Sequence, residues 1–194
     1  MNFSPDSLNA GERKFANDIH DYLNDPVKRG VLDKHEFYLL RNVESLRSVG
    51  VYLESETRAF FPDFVLWVVH QNWTHIILID PKGQTGITDW GKLEENEKVK
   101  IAHSGHLAEL ARQLTAKHGR TFKVDSFILL RDSSPLGKIT GLTPTTDEAV
   151  HIAKLKAKHV LRLDWHETDE AGNARPVYWR GKTYLDMMFE VVDH

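Results

Sequence analysis

The reading of this chain turns on Phe61-Pro62-Asp63-Phe64-Val65-Leu66-Trp67-Val68-Val69, the break His70-Gln71-Asn72-Trp73, and Thr74-His75-Ile76-Ile77-Leu78-Ile79-Asp80-Pro81-Lys82-Gly83. Phe64 to Val69 and His75 to Ile79 are rich in β-branched and aromatic residues, as strands are. Their near-continuous apolarity predicts strands buried on both faces. With Gln71-Asn72 at the turn of a hairpin, residues whose numbers add to 143 face each other, which sets Asp63 opposite Asp80. Directly opposed residues of an antiparallel pair share a face, with Cβ atoms ~4.5–5.5 Å apart. Lys82 follows Asp80 by two positions and shares its face if the strand continues. A slip of one residue would send the carboxylates to opposite faces, so turn length decides the argument.

Two carboxylates held side by side repel each other unless something offsets the charge. A divalent cation does so, and hard oxygen ligands suit magnesium or manganese. An ion held this way, with positions open to water and phosphate, stabilises a pentavalent transition state and acidifies its bound water. A neighbouring lysine orients that water or neutralises developing charge. These residue types at this spacing suit hydrolysis of a phosphodiester.

Outward from the hairpin, Leu8 to Leu23 carries Phe15, Ile19, Tyr22 and Leu23 at helical spacing, with Ser7 or Asn9 as cap. Asn24-Asp25-Pro26 ends that helix, since proline cannot continue it. Phe37 to Leu40 and Val49 to Leu53 are strand candidates, the latter with Gly50 at a bulge. Leu93 to His118 reads as helix, in one piece or in two around Gly105, and Phe122 to Leu130 as strand. Ser133 to Pro144 is a loop, Asp147 to Lys156 a helix, His159 to Leu163 a strand and Lys182 to Val191 a closing helix. This order predicts an α/β layer architecture with a mixed sheet flanked by helices.

At 194 residues, the chain fits a single domain spanning 1–194. Hydrophobic residues make up 41%, enough apolar surface to exclude global disorder. The net charge of −3 excludes a strongly basic binder but allows a local basic groove. The absence of Cys removes disulfides, thiolate metal sites and a cysteine nucleophile, and fits a reducing, cytoplasmic setting. No apolar run approaches the ~18–20 residues of a membrane helix, and the amino terminus has no signal-peptide core.

The pattern Pro62-Asp63, gap, Asp80-x-Lys82 resembles the PD-(D/E)XK nuclease superfamily. The wider run Leu39-Leu40-Arg41-Asn42-Val43, Gly50-Val51, Phe60 to Trp67 and Ile79 to Gly83 is most similar to the nuclease-like domain at the carboxy end of DEAD/DEAH-type helicases and type III restriction endonuclease subunits. Glu12-Arg13-Lys14-Phe15 and Ser126-Phe127-Ile128-Leu129 echo it further. The resemblance implies a restriction-endonuclease-like fold and a metal-dependent DNA endonuclease, the cleavage module of a restriction or helicase-nuclease system. It makes Asp63 and Asp80 metal ligands, the Pro81 carbonyl a further ligand and Lys82 the catalytic lysine, with Mg2+ or Mn2+ as cofactor. Glu12 matches an acid that these folds place on the first helix near the metal; the residue types alone leave it equally a helix-start carboxylate.

The second acid here is Asp rather than the commoner Glu. No motor accompanies the site: Gly181-Lys182-Thr183 has the tail of a phosphate loop, but Pro176 stands where its first glycine belongs. A helicase or translocase in the same polypeptide or complex, or a second copy of the chain, is therefore the expected partner beside DNA. The chain is either whole or a domain excised from a longer protein. Between Lys82 and Lys123 there are eight Lys or Arg against five Asp or Glu, and Lys98 and Lys100 are the candidate DNA contacts. Lys154, Lys156, Lys158 and Arg162 form a second basic stretch. His103 and His106, like Asp164, His166 and Glu167, read as solvated surface, because they lack a third ligand at zinc-site spacing. Two other classes stay open: a non-catalytic nuclease-fold module that docks DNA or protein, and a metal-dependent phosphodiesterase acting on RNA or nucleotides.

Overall fold

The computed structural model describes residues 8–42, 49–52, 59–82, 89–95, 105–130, 136–163, 166–168, 174–176 and 182–190. Helix α1, Ala10–Asn24, starts where Asn9 can cap it: the Asn9 side chain accepts from the Glu12 N–H, and the Glu12 carboxylate accepts from the Asn9 N–H. This reciprocal box satisfies two backbone donors that a helix start leaves orphaned. After Asp25, Pro26 opens a second helix, α2 (Pro26–Leu32), rather than merely ending the first. Proline's missing N–H costs nothing in a first turn.

Strands β1 (Glu36–Arg41), β4 (Phe64–Val69), β5 (Trp73–Lys82), β6 (Thr121–Leu130) and β7 (Val160–Arg162) form one sheet in the order β1-β4-β5-β6-β7. The β1–β4 and β4–β5 pairs are antiparallel, whereas β5–β6 and β6–β7 are parallel. The expected mixed sheet flanked by helices is therefore what the chain forms. Two small antiparallel pairs stand beside this sheet: β2 (Val51–Tyr52), inside the strand expected over Val49 to Leu53, with β3 (Ala59–Phe60), and β8 (His166–Thr168) with β9 (Ala174–Pro176); β3, β8 and β9 were not expected from the sequence pattern.

Helices α3 (Trp90–Glu95) and α4 (His106–His118) follow β5. Gly119, in the left-handed region at φ 68°, closes α4 as a glycine can and a β-branched residue cannot. The stretch expected as loop contains a short helix, α5 (Leu136–Thr140), before α6 (Glu148–Lys156); α7 (Tyr184–Phe189) closes the described chain. No described helix is long and apolar enough to cross a membrane.

Alternation sorts the sheet into two covered faces. Phe64, Leu66, Val68, Ile77, Ile79, Phe127 and Leu129 pack against Phe15, Ala16 and Ile19 of α1 and against α7. Val65, Leu78 and Val124 pack on the other side against Leu107 of α4, with Val51 and Phe60 of the small β2–β3 hairpin. Burial on both sides explains the unbroken apolar runs of β4 and β5. Each such side chain contributes ~1.5–3 kcal/mol relative to exposure.

Candidate active site

The β4–β5 register pairs Phe64 with Ile79 through to Val69 with Thr74, every pair of numbers adding to 143. His70 donates its N–H to the Trp73 carbonyl at 2.9 Å, which closes a turn at Gln71-Asn72. Asp63 lies one residue before the ladder and is half-buried; Asp80 lies within β5 with no solvent exposure. The ladder ends at Phe64–Ile79 and Asp63 sits at a bend just before it, so the register carried one rung further would set Asp63 opposite Asp80 and, by alternation, both on the Val65 and Leu78 face, the side covered by α4.

The backbone bearing Asp63 is pinned from three directions. Asn42, at the exit of β1, donates its N–H to the Asp63 carbonyl at 2.7 Å. Its side-chain amide donates to the Pro62 and Val49 carbonyls, both at 2.8 Å, while its Oδ1 accepts the Val49 N–H at 2.8 Å. Gly50 supplies the third hold. A Cβ there would meet the Phe61 ring at 2.6 Å, so glycine is what lets Phe61 lie over this backbone. Gly50 therefore precedes β2 as a ring seat and is not a bulge within a strand.

Asn42 and Gly50 are the structural residues of the site to which sequence reading gave no such part. Both stood in the family-like run, but neither a buried amide's partners nor a ring seat is visible in one dimension.

At the end of β5, Pro81 is buried, and α1 comes close behind it: a Cβ on Gly11 would sit 3.4 Å from the Pro81 carbonyl oxygen. Next to Gly11, the Glu12 carboxylate accepts from the Asn9 side chain at 2.7 Å and from Arg41 Nη2 at 3.3 Å. Of its two open roles, the helix-start role is the one realised in these contacts. Arg41 belongs to the Phe37 and Leu39 side of β1, so Glu12 approaches from the α1 face and the Asp63–Asp80 rung belongs to the α4 face. Among the described residues, no three His, Asp or Glu side chains gather to hold a metal.

Lys82 ends β5 in register with Leu130, and its side chain lies outside the described residues. Lys98 and Lys100 lie outside them too. No family model, no curated protein and no solved structure matches this chain.

The second basic stretch is largely committed within the molecule. Lys154 sits 3.7 Å from the centre of the Trp90 ring and donates to the Thr140 carbonyl at 2.6 Å. Lys156 pairs with Glu190, and Lys158 with Glu94 at 3.8 Å. Arg112, in the first basic stretch, is held by Glu109 through two hydrogen bonds of 2.6 and 2.7 Å. Those bonds, with a further one from Gln113, hold the Glu109 carboxyl down at about 2.

A further ionisable cluster escaped the sequence reading. His75, wholly buried on the α1 face of β5, bonds Asp125 on β6 through Nε2 at 2.6 Å, and His159 Nδ1 lies 3.9 Å from the other carboxylate oxygen. Burial pushes Asp125 upward, but His75, His159 and Lys123 together outweigh it, and the carboxyl stays below its ordinary 3.8. The partners stand 50 residues apart in the chain, and His75 is embedded in an apolar run that carried no polar signal.

Proposed function

We propose that the chain is a metal-dependent endonuclease domain that hydrolyses DNA phosphodiesters with Mg2+ or Mn2+, acting in the cytoplasm as the cleavage module of a restriction or helicase-nuclease system. The observation that supports this reading is the hairpin register, whose last pair, Phe64 with Ile79, stands one step from Asp63 and the fully buried Asp80. A divalent ion shared by Asp63 and Asp80 would offset the repulsion between two neighbouring carboxylates.

The donor set fits such an ion: two carboxylates and the carbonyl of Pro81 are hard oxygens, with no sulfur in the chain but methionine. Asp63, Asp80 and the Pro81 carbonyl would hold it, while Glu12, expected as a further acid, stays in its capping box on the other face of the sheet. Bound there, the ion would supply charge neutralisation at the phosphoryl oxygens and an acidified water. The chain's own residues do the rest. Asn42 holds the Pro62-Asp63 backbone through its hydrogen bonds, and β6 pairing sets Asp80 against Ile128. Lys82, two residues beyond Asp80, orients the attacking water and offsets charge as it develops.

The test is nicking of supercoiled, branched and single-stranded DNA with Mg2+ or Mn2+, wild type beside Asp80→Ala. Wild type should cut, and the variant should be slower by at least ~10²-fold, the scale of losing one preorganised electrostatic group. Equal rates would overturn the assignment. The hold of Asn9 and Arg41 on Glu12 favours a second reading, a nuclease fold kept for docking DNA or protein. It predicts binding without cleavage and no heat on magnesium titration.

A further inference from the structure

At the turn end of the β4–β5 hairpin lies a cavity of about 800 Å³, within the ~300–1,000 Å³ of small-molecule sites. Six β4 residues at ~3.3 Å each set it roughly 20 Å from the acid rung. We propose that this cavity binds a phosphate carried on a planar ring: a nucleotide, free or at the 5′-phosphorylated end of a strand.

The walls supply the ring surface. His70 stacks on Trp73 with centroids 5.5 Å apart and planes at 19°, and His35 tilts against both at 5.4 and 5.3 Å. The imidazoles are thus fixed by their aromatic neighbours before any ligand arrives, and preordered stacking platforms suit nucleobases.

The cations supply the phosphate contact. Arg120 Nη2 donates to the His70 carbonyl at 2.5 Å and to the Trp73 carbonyl at 3.0 Å, which immobilises the guanidinium. Its Nη1 donates to nothing among the described residues, and Lys34, across the same cavity, is exposed and forms no ion pair among them. An arginine already oriented loses little freedom on binding phosphate.

Asp33 and Glu36 also line the cavity, and Glu36 accepts from the Tyr38 hydroxyl at 2.5 Å. Two acids against two bases disfavour bare phosphate, so the ring must contribute, and carboxylate acceptors favour a base with an exocyclic amine. Among the described residues these histidines and acids do not form a metal group. An organic anion is left as the fitting occupant.

The experiment uses the full chain in EDTA, so that cleavage cannot intervene and failure here leaves the nuclease reading untouched. Adenosine 5′-monophosphate, adenosine, inorganic phosphate, and a short oligoadenylate with and without a 5′-phosphate are titrated by calorimetry and amide chemical-shift mapping. The monophosphate should saturate, with shifts at residues 33–36, 70–73 and 120, and should bind roughly tenfold or more tighter than adenosine or phosphate alone, a difference calorimetry resolves easily.

Lys34→Ala, which touches no described contact, should weaken it by about fivefold and Arg120→Lys by about tenfold or more. Tighter binding of the 5′-phosphorylated oligomer than of the monophosphate assigns the site to a strand end; equal or weaker binding assigns it to free nucleotide. No saturation by either below about 10 mM, a range that still detects very weak sites, or shifts mapping elsewhere, or an unchanged affinity in Lys34→Ala, overturns the proposal.

Discussion

The two ends of the β4–β5 hairpin are fastened by opposite kinds of side chain. At the turn, a guanidinium closes the structure: Arg120 bridges the carbonyls of His70 and Trp73. Near it, the Asp125 carboxylate is hydrogen-bonded to the buried His75. At the other end, the fastening is neutral. Asn42 ties down Pro62, Asp63 and Val49 through amide and backbone bonds and adds no charge to a rung carrying two carboxylates. The difference is one of charge: a guanidinium closes the turn end, whereas the bonds that fix the Asp63 backbone are made by a neutral amide.

The comparison can be broken most sharply at Asn42. Asn42→Ala orphans the Pro62 carbonyl and both polar groups of Val49, and a buried group without its partner costs ~1–3 kcal/mol. The expected loss is about 2–4 kcal/mol in urea unfolding, with metal-dependent cleavage falling alongside because Asp63 loses its anchor. Stability unchanged within about 0.5 kcal/mol, the range of a neutral surface change, would remove the amide from its place in the argument.

Next in size is Asp125→Asn, expected to cost about 1–3 kcal/mol at neutral pH because His75 stays buried without its carboxylate. The sign with pH follows from the direction of the shift. The folded carboxyl sits below its ordinary 3.8, so its contribution is present above that value and is lost as pH falls through the lower folded value. Unfolding curves of wild type and variant should therefore converge below pH 3.8 and diverge above it. Curves that stay parallel down into that acid range would show that the pair does not fasten the turn end.

The smallest effect belongs to Glu12→Gln. Gln keeps the reach of the capping box but loses the charge that Arg41 and the helix start both favour, worth ~0.5–1 kcal/mol at low salt and less as salt is added. A salt-independent difference would place Glu12 outside that electrostatic role.

The hairpin was legible because two apolar runs were separated by a turn of fixed length. That fixes parity, and parity fixes which side chains share a face. Helix α1 was legible from Phe15 and Ile19, while its true start waited on Asn9 outcompeting Ser7 as cap. Pro26 misled by half: it ended one helix and began another. The rest depended on contacts between residues distant in the chain. Lys154, Lys156 and Lys158 are a basic stretch in the sequence, but their partners Trp90, Glu190 and Glu94 lie far from them in the chain. Asn42, Gly50 and the His75–Asp125 pair are of the same kind, since their roles come from partners that periodicity does not name.

The change from antiparallel to parallel pairing at β5 divides the sheet by how far the chain must travel. Partners across the β4–β5 turn are close in sequence, whereas every β5–β6 pair, from Trp73 with Thr121 onward, spans 48 residues. Loop closure of that length slows folding relative to a hairpin. Asp80 thus stands where the two kinds of pairing meet: a local turn sets β5 against β4, and a long connection must close before Ile128 of β6 lies beside it.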